Sequence, residues 1–197
     1  GLSSDQLEHS GRGFSFQKNE PLTMTFKAHP NENDVSAREI VNTWDGENIE
    51  SILYGFGEEK FAKRITDAIV SRRKEKPIET TQDLVDIIKR NVPRWYAQGK
   101  VNCATKTFQA LRMAANDELG SLQEGLANSV KKLRSGGRIA VISFHSLEDR
   151  IVKKFFKEKT EEGIFNITTK KPITPSREEV VNNKRSRSAK LRIAQKQ

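Results

Sequence analysis

Gly136-Gly137-Arg138-Ile139-Ala140-Val141-Ile142-Ser143-Phe144-His145-Ser146-Leu147-Glu148-Asp149-Arg150-Ile151-Val152-Lys153 is the stretch on which the fold turns. Its two glycines stop whatever precedes them, and a short β-branched run follows at 138–143. A nearly continuous apolar run bounded by Gly predicts a buried strand of a parallel sheet. Residues 144–148 then make a turn, and Ile151, Val152, Phe155 and Phe156 mark the inward face of a helix over 149–157. Upstream, Phe108, Leu111, Ala115, Leu119, Leu122, Leu126, Val130 and Leu133 predict one long helix that ends at the glycines. Helix, Gly-Gly, buried strand, polar loop, helix is the pattern of an open α/β sheet. Two further strands are predicted at 165–169 and 191–194.

Ahead of that unit the pattern is helical. Residues 1–33 are rich in Gly, Ser, Asn and Pro and read as loop, with a short extended piece at 12–16. Ser36 followed by Glu39 has capping-box spacing and starts a helix. Ile49, Ile52 and Leu53 mark a second, and Phe61, Ile65, Ala68 and Ile69 a third. The outer face of the third carries Lys60, Lys63, Arg64, Arg72 and Arg73. Thr80 or Thr81 caps a fourth, with Leu84, Ile87 and Ile88 inward; Pro93 ends it and leaves a loop over 94–105.

Composition narrows the function. Hydrophobic residues make up 35% and charged residues 31% of the 197 residues, the balance of a globular protein. No stretch approaches the ~20 apolar residues that span a bilayer, and the opening Gly1-Leu2-Ser3-Ser4 has no leader pattern. The single Cys103 excludes an internal disulfide and a Cys-cluster zinc site, and fits a reducing, cytoplasmic setting. Residues 151–197 hold 13 basic and 5 acidic side chains, whereas 1–150 hold 22 and 21. The excess positive charge therefore sits in the last quarter, which implies attraction to phosphate; a merely basic, solvated face has the same composition. No Gly-rich phosphate loop, zinc-spaced His pair or Gly-x-Ser-x-Gly elbow occurs, so hydrolase and nucleotide-driven readings lack support.

Three places concentrate chemistry. The loop beyond the predicted strand, 143–150, crowds two hydroxyls, an imidazole, two carboxylates and a guanidinium at the edge where open α/β sheets bind ligands. Structural roles are open to the same residues. Ser146 fits an N-cap with Asp149 completing a capping box, and His145 fits a half-buried, satisfied imidazole. The opening Gly1-Leu2-Ser3-Ser4-Asp5-Gln6-Leu7 suits hydrogen bonding to a polar cofactor or base edge, and equally a turn. At 105–112, Lys106, Gln109 and Arg112 suit a phosphate or a solvated helix end, while Asn116-Asp117-Glu118 place polar groups where a helix lines a pocket.

The strings Ile142-Ser143-Phe144-His145-Ser146-Leu147-Glu148-Asp149-Arg150 and Ala104-Thr105-Lys106-Thr107-Phe108-Gln109-Ala110-Leu111-Arg112 resemble the motifs of the MraW/RsmH methyltransferase family. Collinear matches occur at Gly1-Leu2-Ser3-Ser4, Arg12-Gly13-Phe14-Ser15-Phe16, Tyr54-Gly55-Phe56-Gly57-Glu58-Glu59 and Arg185-Ser186-Arg187-Ser188-Ala189-Lys190-Leu191-Arg192, so the resemblance covers essentially the whole chain. It implies an α/β fold: part of a class I, Rossmann-like methyltransferase sheet with an inserted all-helical domain. Residues 1–35 would be a loop-rich start continuing the methyltransferase domain, 36–104 the helical insert, and 105–197 the C-terminal half with its basic tail. The implied activity is transfer of methyl from S-adenosylmethionine to cytosine N4 in the decoding region of small-subunit rRNA, free or in the 30S subunit, with no metal and no membrane. Gln6 and Ser4 would contact the cofactor. His145 and Ser143 would be catalytic, and Arg12, Lys106, Arg112, Arg150, Arg185 and Arg187 would meet RNA. Members of the family carry a Gly-rich, acidic cofactor-binding part ahead of the position of Gly1, so the chain is expected to be a C-terminal part, inactive alone. Thr23-Met24-Thr25-Phe26 stands where Asp-Met-Arg-Met is usual, and Asn102-Cys103 where His-Pro is usual. A non-catalytic rRNA-binding module, a degenerate fragment and a protein-interaction domain are the competing readings.

Overall fold

The computed structural model describes residues 2–197. They divide into two compact units, one ending at Glu118 and the other Leu119–Gln197.

Helices build the first unit. Ser4–His9 forms α1, Ala37–Thr43 α2, Gly46–Gly55 α3, Ala62–Glu75 α4, Thr81–Asn91 α5, Arg94–Ala97 α6 and Thr105–Ala115 α7. The sequence periodicity holds through α3–α5, where Ile49, Leu53, Ile65, Leu84 and Ile88 are fully buried, and Ile40 of α2 is buried with them. Ser36 caps α2 by accepting from Glu39 N–H, and Thr80 and Asp83 form the capping box of α5. Two stretches read as loop contain short helices: α1, started by a Ser3–Gln6 capping box, and α6, begun by Pro93 at its N-cap. Both are too short for a hydrophobic period to register.

The segment before α2 belongs to the same core as the helices. Phe14, Leu22 and Met24 are buried with α2–α5 and with Phe108 and Leu111 of α7. The core therefore runs beyond residues 36–104 in both directions. Gly13 is confined to glycine: its φ is +74°, and a Cβ there would lie 2.3 Å from the Pro21 carbonyl oxygen. Met24 also sits in the left-handed region, at φ 53°. Its neighbours hold it there. Met24 N–H donates to the Arg12 carbonyl at 2.7 Å. Arg12 in turn donates through Nη1 to the carbonyls of Thr25 and Phe26, at 2.9 and 2.7 Å.

The long helix predicted from 107 is broken. α7 stops at Ala115 and α8 runs Glu118–Lys132, with Asp117 at φ 43° between them. Apolar spacing continues across the break, which is why periodicity alone reads straight through it. Asn116 is the cause. Its Oδ1 accepts from Phe26 N–H, and its Nδ2 donates to the carbonyls of Met24 and Arg112. A side chain committed to a loop in this way favours chain reversal over helix.

The second unit is a three-stranded sheet with helices. Strands are β1 (Arg138–Ser143), β2 (Phe165–Ile167) and β3 (Lys190–Lys196), in spatial order β1-β3-β2. All pairing is antiparallel, Ala140 facing Ile193 and Asn166 facing Gln195. The parallel sheet expected from the β1 run is thus not formed among the described residues. β1 is an edge strand, and only Ile139 and Val141 face the core; Ile142 on the other face is 58% exposed. An apolar run bounded by glycines specifies a strand but not the direction of its neighbour. Ser146–Glu161 forms α9, with Val152 and Phe156 buried, and Phe156 meets Phe165 edge-on at 5.9 Å. Arg177–Asn182 forms α10, and a 3-10 turn, Lys184–Ser188, leads into β3. The fold is mixed α/β.

Asn116→Ala removes every side-chain bond that fixes residues 24–26 to α7. It should lower stability by about 2–4 kcal/mol in urea denaturation, because the Phe26 N–H and the Met24 carbonyl lose their partner. Asn116→Asp, which keeps an acceptor for Phe26 N–H, should fall between the two.

Candidate functional site

The turn after β1 is built by its own polar side chains. Ser143 is 3% exposed and donates to the Lys190 carbonyl at 3.4 Å, so it serves strand pairing. His145 is the N-cap of α9: its Nδ1 accepts from Glu148 N–H at 3.3 Å. Glu148 closes the box, Oε2 accepting from the N–H groups of Phe144 and His145 at 2.8 and 3.3 Å. The cap expected at Ser146 with Asp149 is therefore displaced by one residue. An Nδ1 that accepts leaves the proton of a neutral ring on Nε2. That nitrogen lies 3.4 Å from Glu148 Oε1, close enough for an ion pair when the ring is protonated, but without the alignment of a hydrogen bond.

Asp149 is held elsewhere, which explains the displacement. Arg192 grips it from β3, Nε to Oδ1 at 2.7 Å and Nη2 to Oδ2 at 3.2 Å, and Lys190 adds a third contact at 3.4 Å. Arg192 is 8% exposed, so the bond is a nearly dry bidentate pair. The Arg192 hydrogen bond and charge hold the Asp149 carboxyl below the usual aspartate range. Burial pushes Glu148 upward, but the His145 imidazole and the backbone N–H groups outweigh it and leave its carboxyl low as well. Lys190 and Arg192 are two residues apart on one strand and so share a face, a period-two signal that the sequence reading did not use.

The remaining candidates divide by what they already hold. In α1, Gln6 Oε1 accepts from Ser3 N–H, so the cap consumes its acceptor and leaves its amide donors; Ser4 is exposed. Arg12 is spent on the Thr25 and Phe26 carbonyls. Arg112 is spent on Glu118, which is 9% exposed, at 2.6 and 3.1 Å. Lys106 donates to the Glu58 carbonyl at 2.7 Å. Arg150, Arg185 and Arg187 are exposed, the latter two flanking buried Ser186 in the 3-10 turn. Asn116 and Asp117 line a cleft with Thr25, Phe26, Lys27 and Asp34, in keeping with the pocket expected of those polar residues. Among the described residues no group of His, Cys, Asp and Glu is arranged to hold a metal, and no helix is long and apolar enough to cross a membrane.

The MraW methylase family matches residues 1–197. The chain belongs to that family. Among curated relatives, the ribosomal RNA small subunit methyltransferase H of Persephonella marina is 47% identical over 196 residues, covering 100% of this chain and 66% of the relative. That of Caldicellulosiruptor bescii is 46% identical over 211 residues, covering 100% and 67%. That of Leptospira interrogans is 46% identical over 196 residues, covering 100% and 58%. The chain thus spans roughly three fifths to two thirds of the length of the relatives it matches, and the resemblance to the MraW family seen in its motifs is borne out.

In this MraW family chain the Asp149–Arg192 pair makes folding pH-dependent. A carboxyl held low in the folded state contributes stability that is present above its unfolded value, about 4, and lost as pH falls through the lower folded value. Asp149→Ala should cost about 3–5 kcal/mol at neutral pH, since it strands a buried guanidinium. Its stability should also decline less than the wild type between about pH 4 and 2. Urea midpoints measured across that range check both statements, and a wild-type acid limb retained in the variant would contradict them.

Proposed function

We propose that the chain is part of an S-adenosylmethionine-dependent methyltransferase that modifies cytosine N4 in the decoding region of small-subunit rRNA. Membership of the MraW methylase family over residues 1–197 carries the reading. Relatives named as small-subunit rRNA methyltransferases support the substrate class. The basic 151–197 segment, with Arg185 and Arg187 exposed, supports contact with RNA phosphates. An rRNA or 30S substrate places the protein in the cytoplasm. Residues 36–104 correspond, in this reading, to the helical insert of the methyltransferase domain.

The cofactor fits the groups on offer at α1. The Gln6 amide donors and the exposed Ser4 hydroxyl suit the hydroxyl and carboxylate groups of a nucleoside amino acid. When bound, S-adenosylmethionine would supply an electrophilic methyl group.

Cytosine N4 is a weak nucleophile because its lone pair is delocalised into the ring. The protein's task is to hold the base unstacked and in line, and to accept a hydrogen bond from the amino group. Ser143 and His145 serve that task through the turn that ends β1. The Ser143 hydroxyl has lone pairs to accept with while it donates to Lys190. His145, committed as a cap, fixes the ionised Glu148 and so the local field. Their contribution is to position the base. Arg150, Arg185 and Arg187 are the arginines of the set that are exposed to meet phosphate, whereas Arg12 and Arg112 support the loop and helix beneath.

Residues 1–197 alone transfer no methyl group in this reading, which their 58–67% share of the relatives' length supports. A graft of the Persephonella marina relative's unmatched segment onto this chain tests the proposal. Nucleoside mass spectrometry of small-subunit rRNA should show N4-methylcytidine with the graft, and none with residues 1–197, which should also give no calorimetric signal with S-adenosylmethionine. Methylation at another atom would sink the N4 assignment. A graft that binds rRNA without modifying it would favour the non-catalytic module.

A further inference from the structure

The helical block carries an aromatic and basic surface that no part of the proposed chemistry uses. Phe61, Trp95 and Tyr96 meet edge to edge, with centroids 4.8–5.9 Å apart. Lys60 Nζ lies over all three rings and closest to Trp95, 4.3 Å from its centroid. The Tyr96 hydroxyl donates to Glu59 at 2.7 Å, and Glu59 is fully buried, so the cluster is anchored from beneath. Trp95 is nevertheless 62% exposed. A rigid indole held on one face by a cation and open on the other presents a flat π-face on which a planar ligand can stack.

The charge around it names that ligand. Lys60, Lys63 and Arg64 line an adjoining cleft, and Arg94 precedes Trp95 in α6; all four are exposed. Only Lys63 has a carboxylate within salt-bridge distance among the described residues, Asp67. An exposed aromatic ring among unneutralised cations is the arrangement by which proteins hold single-stranded nucleic acid: bases stack on the ring, and phosphates follow the positive charge. A protein partner would need carboxylates to match, and a lipid surface would call for an amphipathic helix rather than a four-residue α6.

We infer that Trp95, backed by Lys60 and flanked by Arg64 and Arg94, is a stacking platform for an unpaired base of the RNA substrate. The site deepens the rRNA reading given above and rests on it. It lies on the first unit, apart in sequence from the basic 151–197 segment, and so supplies a second RNA contact.

Trp44 is the only other tryptophan, so Trp44→Phe leaves Trp95 as the sole indole reporter. In that background, a single-stranded oligoribonucleotide should quench the emission of the full chain, and an oligomer of abasic nucleotides at equal phosphate concentration should not. Trp95→Ala should weaken RNA binding about 5- to 100-fold, with Trp95→Phe restoring most of it. Lys60→Met should reduce the salt dependence of binding along with the affinity. Unchanged RNA affinity in Trp95→Ala, or equal quenching by the abasic oligomer, would overturn the platform and leave the proposed function standing. Failure of the wild type to bind any RNA would remove both. If Trp95→Ala instead abolishes self-association seen in sedimentation while RNA binding persists, the surface belongs to a second copy and the inference is wrong.

Discussion

A helix begins with backbone N–H groups that have no partner within it, and this chain answers that constraint with the polar side chains that look most like a site. Ser3 and Gln6 close the start of α1, Thr80 and Asp83 that of α5, and His145 and Glu148 that of α9; Ser36 and Ser176 cap α2 and α10. The consequence is sharpest at α9. Because His145 spends Nδ1 on the cap, its neutral ring offers a donor and no acceptor. In that conformation the imidazole has no free lone pair, and the acceptors left on the turn are hydroxyl and carboxylate oxygens.

The cations obey a similar economy. Arg12, Arg112 and Arg192 are turned to carbonyls or carboxylates of their own unit, where a guanidinium fork satisfies two acceptors at once. These three brace a loop, a helix junction and a strand. Other cations stay exposed, on the 3-10 turn before β3, at the start of α4 and around α6. Net charge therefore overstates the charge that faces solvent, and its location is the more useful quantity.

Legibility followed the same division. Buried stripes such as Ile49, Leu53, Ile65 and Leu84 were read correctly from spacing, because a 3.6-residue period has one physical cause. Strand positions at 138–143 and 191–194 were likewise visible, as was the family. Direction and interruption were not. Whether β1 meets a parallel or antiparallel neighbour depends on residues 47 or more positions away, and the register Ser143 to Lys190 leaves no local trace. The break at Asn116 depends on the Phe26 N–H and the Met24 carbonyl, some 90 residues upstream. For the turn, the sequence showed which side chains gather but not which of two adjacent residues caps, since Arg192 decides that by removing Asp149 from the contest.

Long-range constraint also explains why the unusual Thr23-Met24-Thr25-Phe26 string is tolerated. Thr23 Oγ1 donates to the Arg12 carbonyl, and Thr25, 4% exposed, donates to the Lys27 carbonyl. Each hydroxyl thus meets its hydrogen-bonding need inside the loop. A carboxylate at 23 or a guanidinium at 25 would bring a charge that these carbonyl contacts do not neutralise, and would need a partner in the adjoining cleft, where Lys27 and Asp34 already pair at 2.6 Å. The threonines therefore hold the loop without adding charge, and Thr25 puts a neutral side chain on the wall of that cleft. Met24 and its left-handed backbone are kept in place by Arg12 and Asn116.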